Sequence, residues 1–278
     1  MMVHSRMQVF VIVCSLALIC FASPVFQQQE ASSSDSFVYA VDVADPVTVA
    51  QFQCIRNSSY NVAFIKGYSS AGEGQVDWYV PITIQNADAA GLKTEVYMSP
   101  QPRSTKTGAQ QFDEMYGRLR NNNINIKTIW IQVGSPGRWY NNTTHNLNFI
   151  NDILTRASQY NLNTGIYTCD FDWNDITGGG VASNTMLWYW NSYGPGPANE
   201  SPANFNDFRP FGGWTSSPAA KQFGKFEYVC DVPVNRDIYS VFIPTKTVEA
   251  DTQEKSKQII VGDRGAGTVF SGKAQIKK

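Results

Sequence analysis

The side chains best suited to acid–base chemistry are carboxylates at the ends of predicted strands. Asp42 closes the first predicted strand, and Asp170, Asp172 and Asp175 crowd the loop after the fifth. Two carboxyl groups on either side of a bond can donate a proton and stabilise a positive charge, which is the chemistry of glycosidic bond cleavage. Turn formation is the more common use of such residues, because Asp side chains readily bond nearby backbone N–H groups.

Metal and nucleophilic chemistry are less well supported by the sequence. His145 is the only histidine expected in the mature chain, and no Cys or His lies near it in the Thr-Thr-His segment that starts a predicted helix. A zinc site needs three or four such ligands, and a Ser-His-Asp triad would depend on this one histidine. We therefore expect no metal ion and no cofactor.

Strands and helices alternate through most of the chain. β-branched and aromatic runs predict strands at 37–43, 61–67, 94–98, 128–133, 163–168 and 186–190, followed by short strands at 219–223 and 226–234. Helical spacing of apolar residues lies between the earlier strands, for example at 81–91 and 147–157. Such alternation favours a parallel sheet closed into a barrel. Because the helices become fewer towards the end, we expect an incomplete β/α (TIM-like) barrel in one α/β domain.

A doubly wound parallel sheet is the main competing architecture. That fold binds phosphate groups at a Gly-rich loop after its first strand, and no such loop follows residues 37–43 here. The barrel is therefore the better prediction.

The chain divides into four predicted segments. Residues 1–22 resemble a signal peptide, because a weakly basic start precedes an apolar run at 9–21 that is too short for a comfortable membrane span. A retained signal anchor is the less favoured alternative. Residues 23–36 form a polar leader, 37–241 the barrel, and 242–278 a polar tail that we expect to be disordered.

The predicted compartment is extracellular, or the lumen of the endolysosomal system. Asn57, Asn141, Asn142 and Asn199 lie in glycosylation sequons, which agrees with a secreted glycoprotein. The net charge of −1 gives no broad basic field for nucleic acid or anionic membrane. We expect a monomer that binds neither.

Several stretches between Val38 and Tyr239 match one family in order and at similar intervals. They are YAVDV (39–43), VYM (96–98), GIYT (165–168), LWYW (187–190), FRPFGGW (208–214) and KQF (221–223). In these stretches the chain resembles the nematode and protist branch of glycoside hydrolase family 25, which contains secreted lysozyme-like proteins. The resemblance implies an incomplete β/α barrel, cleavage of peptidoglycan between its amino sugars, and a role in innate defence against bacteria.

The catalytic carboxylates of that family are only partly present. The family places an Asp on the first strand and an Asp-x-Glu pair at the end of the fourth, and the Glu donates the proton. Asp42 retains the first Asp, whereas the pair falls on Gln132 and Gly134, and a further acidic position near the last strand falls on Asn235. An amide is no general acid near neutral pH, and losing a positioned acid forfeits roughly 10²–10⁴-fold in rate.

The resemblance therefore predicts a degenerate lysozyme-like barrel that binds bacterial cell-wall glycan or a related sugar with little or no turnover. Tyr68, Tyr97, Tyr167 and Trp188 lie near strand ends and could stack on sugar rings, although at least half of such aromatics are expected in the core.

Two alternatives stay open. One is an active muramidase that combines Asp42 with a carboxylate from the Asp170–Asp175 cluster. The other is a non-catalytic interaction or signalling protein whose former groove binds a protein partner.

Three cysteines remain once the signal is removed, which indicates one disulfide and one free thiol. Cys54 and Cys230 lie near the first and last strands, which are neighbours in a closed barrel, so we expect them to pair. Cys169 would then be the free thiol.

Overall fold

The computed structural model describes residues 37–240, 258–263, 270 and 272–278. The predicted signal peptide (1–22) and polar leader (23–36) lie outside these residues. Within the described residues, no helix is long and apolar enough to cross a membrane.

The elements follow one another along the chain in the predicted alternation. The strands are β1 (Phe37–Val43), β2 (Tyr60–Ser69), β3 (Gln75–Val76), β4 (Lys93–Met98), β5 (Ile124–Ile126), β6 (Thr128–Gln132), β7 (Asn163–Thr168), β8 (Val181–Ser183), β9 (Met186–Trp190), β10 (Ala220–Val229), β11 (Val232–Ser240), β12 (Ile259–Val261) and β13 (Gln275–Lys277). The helices are α1 (Val49–Asn57), α2 (Val80–Ala89), α3 (Gly108–Arg120), α4 (Thr143–Gln159) and α5 (Asp170–Thr177).

The main sheet closes on itself, and the predicted barrel is confirmed. Around the barrel the strands run in the order β1, β11, β10, β9, β7, β6, β4, β2, and β2 pairs with β1 to close the ring. The pairs from β1 through β2, β4, β6, β7 and β9 to β10 are parallel, whereas β11 runs antiparallel to both of its neighbours. A hairpin thus replaces the last β/α repeat, which is why the helices become fewer.

The hairpin between β10 and β11 turns at Cys230 and Asp231. Both residues have positive φ angles, 56° and 61°, the backbone of a two-residue turn that suits the twist of paired strands. The sequence had predicted one short strand over 226–234, because these turn residues lack the glycine that usually marks such a turn. A disulfide joins Cys230 to Cys54 at the end of α1 and so ties the hairpin tip to the first repeat.

Large and small side chains alternate inside the barrel, so that the interior is filled. Gly165 on β7 lies against the Trp130 indole so closely that a Cβ atom there would overlap the ring. Trp188 is stacked between Tyr167 and Phe64, with ring centroids 3.7 Å and 4.1 Å away. The interior is therefore a packed core like that of other β/α barrels, and any ligand must bind at its rim.

The C-terminal segment is not disordered where the structure describes it. β12 adds to β5, and β13 adds to β8. The Gly262 N–H donates to the Thr94 carbonyl, and the Thr128 hydroxyl donates to the Gly262 carbonyl, so this segment covers the end of the barrel where strands start. The segment is polar on average, but it contains short apolar runs, and Val261 and Ile276 in these runs are buried.

Candidate functional site

The carboxyl ends of the parallel strands form one rim, which we call the mouth. Interior positions at this rim carry mostly polar side chains: Asp42 on β1, Lys66 on β2, Ser99 after β4, Gln132 on β6, Trp190 on β9, Gln222 on β10 and Asn235 on β11. β/α barrel enzymes build their active sites at this end. The mouth is therefore the candidate site.

Asp42 is the carboxylate that the sequence placed here. It is only 3% exposed and lies opposite Asn235 in the β1–β11 register. The Asn235 side-chain amide donates to Asp42 Oδ2 at 2.8 Å. Burial raises the pKa of Asp42, and the hydroxyls of Tyr97 and Tyr167, the Asn235 amide and the charge of Lys66 offset part of that rise.

A second buried carboxyl group, which the sequence analysis missed, lies next to Asp42. Asp237 has no exposed surface, and the Trp188 Nε1–H donates to its Oδ1 at 2.9 Å. Burial, reinforced by the negative charge of Asp42, raises the pKa of Asp237 well above its usual value. Asn235 and Asp237 are two residues apart on β11 and therefore face the same side of the sheet. The two-residue period of a strand could thus have placed Asp237 inside the barrel.

Asp237 does not lie where the resemblance expects the proton donor. It lies on β11, the strand adjacent to β1, and pairs with Ala40 in the register. The resemblance expects the proton donor just after β6, at position 134. Because Asp237 has no exposed surface, a sugar at the rim does not reach its carboxyl group.

Gln132 and Gly134, the two positions that the resemblance predicts to be degenerate, lie at the end of β6 and just after it. The Ser99 hydroxyl donates to Gln132 Oε1, which fixes the amide at the rim. A Cβ atom on Gly134 would lie 2.5 Å from Trp190 Cη2 and 3.1 Å from Asp172 Oδ2. The indole of Trp190 therefore fills the space into which a longer side chain at position 134 would extend.

Of the acidic cluster after the fifth predicted strand, only Asp172 reaches the mouth. The Ser135 N–H donates to Asp172 Oδ2 at 3.0 Å, which holds the carboxyl group beside Gly134. Burial is the main cause of the raised pKa of Asp172, and the charge of Asp175 adds to it. Asp170 instead accepts a bond from Asn174 within α5, and both Asp170 and Asp175 are exposed.

Two of the four aromatics predicted to stack on sugars cannot do so. Trp188 is fully buried inside the barrel, and Tyr68 is fully buried on the helix side of the sheet, where its hydroxyl donates to Glu114 at 2.8 Å. The prediction was wrong for these two residues because both rings pack in the protein core. Tyr97 and Tyr167 do face the mouth but are nearly buried, and the Tyr167 hydroxyl donates to Gln222.

Cys169 and His145 are not among the interior side chains of the mouth. Burial raises the pKa of Cys169 to about 11, so the thiol stays protonated, and it accepts a weak bond from the Asp172 N–H at 3.5 Å. His145 packs edge-on against Tyr140, 4.4 Å between ring centroids. In the described part of the chain, no three His, Cys, Asp or Glu residues are grouped as metal ligands.

Comparisons with known proteins agree on one family. The profile described as lysozyme-like protein 1 matches residues 33–223. Lysozyme-like protein 7 of Caenorhabditis elegans is 48% identical over 222 residues, which cover 79% of this chain and 78% of that protein. The probable GH family 25 lysozyme 2 of Dictyostelium discoideum is 32% identical over 190 residues, 68% of this chain and 84% of that protein.

The fold also has solved counterparts. A family GH25 lysozyme from Aspergillus fumigatus superposes with a TM-score of 0.56 at 16% sequence identity, over 74% of this chain and 94% of that chain. At this level of identity the likeness shows a shared fold.

Proposed function

This chain belongs to the lysozyme-like proteins of glycoside hydrolase family 25, and from that premise we propose that it binds bacterial peptidoglycan and hydrolyses it poorly or not at all. One observation carries the second half of the proposal. At position 134, where the resemblance expects the proton donor, there is a glycine, and the Trp190 indole occupies the adjacent space.

The chemical reason is the absence of an acid opposite Asp42. The leaving oxygen of a glycosidic bond must be protonated as the bond breaks, and the Gln132 amide cannot supply that proton near neutral pH. Loss of the donor lowers the rate by roughly 10²–10⁴-fold, and the loss of the second carboxylate weakens stabilisation of the cationic transition state.

Binding is supported by what the mouth keeps. The Asp42 carboxyl group, the Gln132 and Gln222 amides and the Lys66 ammonium remain at the rim, together with the aromatic edge of Trp190. Sugar hydroxyls require such donors and acceptors, and an aromatic ring offers an apolar face to the C–H groups of the sugar. A protein with this mouth can retain a glycan without cleaving it.

A weak hydrolase is the second candidate, because one observation favours it. The Asp172 carboxyl group lies beside Gly134 and has a raised pKa, which is the property that a general acid requires. The Ser135 N–H that bonds its Oδ2 opposes this role, because it stabilises the ionised form. In a weak hydrolase, Asp172 on α5 would supply the proton in place of the absent acid at position 134.

Two assays on the purified mature protein test both candidates. Retention on insoluble peptidoglycan measures binding, and clearing of a turbid suspension of bacterial walls measures hydrolysis. We expect retention with background clearing. The weak hydrolase would be established if the parent clears the walls, Asp172→Asn abolishes the clearing, and the matched variant Asp170→Asn on the same helix preserves it. Absence of retention would refute glycan binding and favour a protein partner.

Secretion is part of the same proposal. The apolar run at 9–21, the sequons and the Cys54–Cys230 disulfide support an oxidising compartment, outside the cell or in the endolysosomal lumen. We expect mass spectrometry of the secreted protein to find a chain that begins near Ser23. Gel filtration should give the mass of a monomer, and a role in defence against bacteria would follow from wall binding.

A further inference from the structure

A groove lies on the outside of the barrel, between the short strand β3 and helix α3. Its volume is about 570 Å³, within the range of about 300–1,000 Å³ that is usual for small-molecule sites. Val76 and Gly117 line it, with Trp78 and Arg118 beside them and the side chains of Gln75 and Asn121 also contributing to its walls. None of these residues belongs to the mouth.

Trp78 is unusually exposed for its residue type and is nevertheless held in place. The residue is 67% exposed, and its neighbour Tyr79 is 61% exposed. The Arg118 guanidinium lies 4.7 Å from the centre of the Trp78 ring, and its Nη2 donates to the Trp78 carbonyl at 2.8 Å. An aromatic ring that is already oriented loses little freedom when it binds a ligand.

Gly117 leaves the groove open. It lies inside α3 without a positive φ angle, and a Cβ atom there would meet no atom within 4 Å. Glycine is a poor helix former, and neither the backbone nor the packing requires it at this position. The glycine leaves an open surface in the groove that Trp78 also lines, and a long side chain at this position would cover it.

The charged side chains of the groove already have partners in the protein: Arg118 is held by the Trp78 ring and carbonyl, and the other two pair with each other. Lys106 and Glu114 form an ion pair at 2.8 Å, and Glu114 also accepts the Tyr68 hydroxyl. The side chains of Gln75 and Asn121 are exposed, and within the described part of the chain neither makes a hydrogen bond. A ring with an apolar face and uncharged hydroxyl or amide groups fits this combination better than an ion does.

We propose that this groove is a second glycan-binding site, which holds one sugar ring of the polymer against Trp78. The inference rests on the proposed function, because it assigns the site the same β-linked amino-sugar polymer. Two sites on one chain raise the retention of a polymer without any change at the mouth, since the second contact forms within a complex that already exists.

The test follows the Trp78 indole N–H by nuclear magnetic resonance during titration with a soluble tetramer of β-1,4-linked N-acetylglucosamine. Trp78→Phe assigns the signal among those of the seven tryptophans. We expect the sugar to shift this signal. Gly117→Gln should suppress the shift, because glutamine suits a helix but its side chain covers the open surface. Arg120→Gln, an exposed change on the same helix, is the matched control and should leave the shift unchanged.

Retention on insoluble peptidoglycan gives a second readout. We expect Trp78→Ala and Gly117→Gln to weaken retention by about 2- to 10-fold, the equivalent of one aromatic contact. The second site is overturned if the sugar does not shift the Trp78 signal, or if the Gly117→Gln variant binds as well as the parent. A groove that binds a protein would give that result. Such a result leaves the proposed function intact if the parent protein is retained on peptidoglycan, whereas loss of parental retention refutes the proposed function itself.

Discussion

Adding one methyl group at Gly134 tests whether Trp190 fills the place where the resemblance expects the proton donor. In Gly134→Ala the new Cβ would lie 2.5 Å from Trp190 Cη2, whereas carbon atoms in contact normally lie about 3.5–4.0 Å apart. The ring must therefore retreat by about 1 Å or more. Its edge-on contact with Tyr167, 5.1 Å between centroids, limits that movement.

The expected cost combines two opposing effects. Overpacking of this kind costs about 1–3 kcal/mol, whereas replacing a glycine whose backbone angles suit alanine stabilises the folded state by about 0.4–1 kcal/mol. Gly134 has no positive φ angle, so both effects apply. We expect Gly134→Ala to lower the free energy of unfolding by about 0.5–2 kcal/mol.

Urea denaturation of a double-mutant cycle measures this effect directly. Trp190→Phe shortens the ring and opens the space, so Gly134→Ala should become neutral or stabilising in that background. Gly137→Ala is the matched control, because a Cβ atom there meets no atom within 4 Å and the residue is exposed. If Gly134→Ala cost no more than Gly137→Ala in the parent background, Trp190 would not occupy the site.

Three further predictions follow from other parts of the chain. The double variant Gln132→Asp with Gly134→Glu should not clear bacterial walls, and adding Trp190→Phe should make it active. Activity of the double variant without Trp190→Phe would show that Trp190 does not block position 134. Asp237→Asn should raise the unfolding temperature near pH 7. The pKa of the Asp237 carboxyl group is raised in the folded state, so folding becomes less favourable as pH rises above the unfolded-state pKa of about 4, and this penalty is absent below it. An unfolding temperature lowered equally at every pH would contradict this. Gly262→Ala should lower the free energy of unfolding by about 1–3 kcal/mol. Gly262 has a φ angle of 78°, and an added Cβ atom would lie 2.6 Å from the Thr128 nitrogen. An unchanged denaturation midpoint would show that the C-terminal segment does not cover the end of the barrel.

The architecture could be predicted because it depends on local patterns. Alternating strands and helices between residues 37 and 190 predicted the barrel, and the lapse of helices after 190 corresponds to the antiparallel β10–β11 hairpin. The strands in the C-terminal segment were missed because β12 and β13 are each three residues long, and their stability comes from pairing with β5 and β8. Sequence composition carries no record of that pairing.

The site could be predicted only in part, because its chemistry depends on neighbours that are distant in the chain. The family resemblance placed Asp42 at the mouth, because an Asp at a strand end is by itself more often a turn or cap residue. Trp190 lies on β9 and position 134 lies in the loop after β6, and these two strands are not adjacent, so no local pattern indicated the overlap between them. The burial of Trp188 could not be read from the aromatic run 187–190, because whether an aromatic faces the core or the rim depends on its depth in the barrel.

The most direct test of a mouth without a proton donor is the rate at which new reducing ends appear in purified peptidoglycan. The parent protein and Asp42→Asn should be compared at equal amounts bound to the polymer. We expect the two rates to be equal and indistinguishable from that of the polymer alone. A parental rate that clearly exceeds that of Asp42→Asn would show that Asp42 still works with an acid, and the central claim would be wrong.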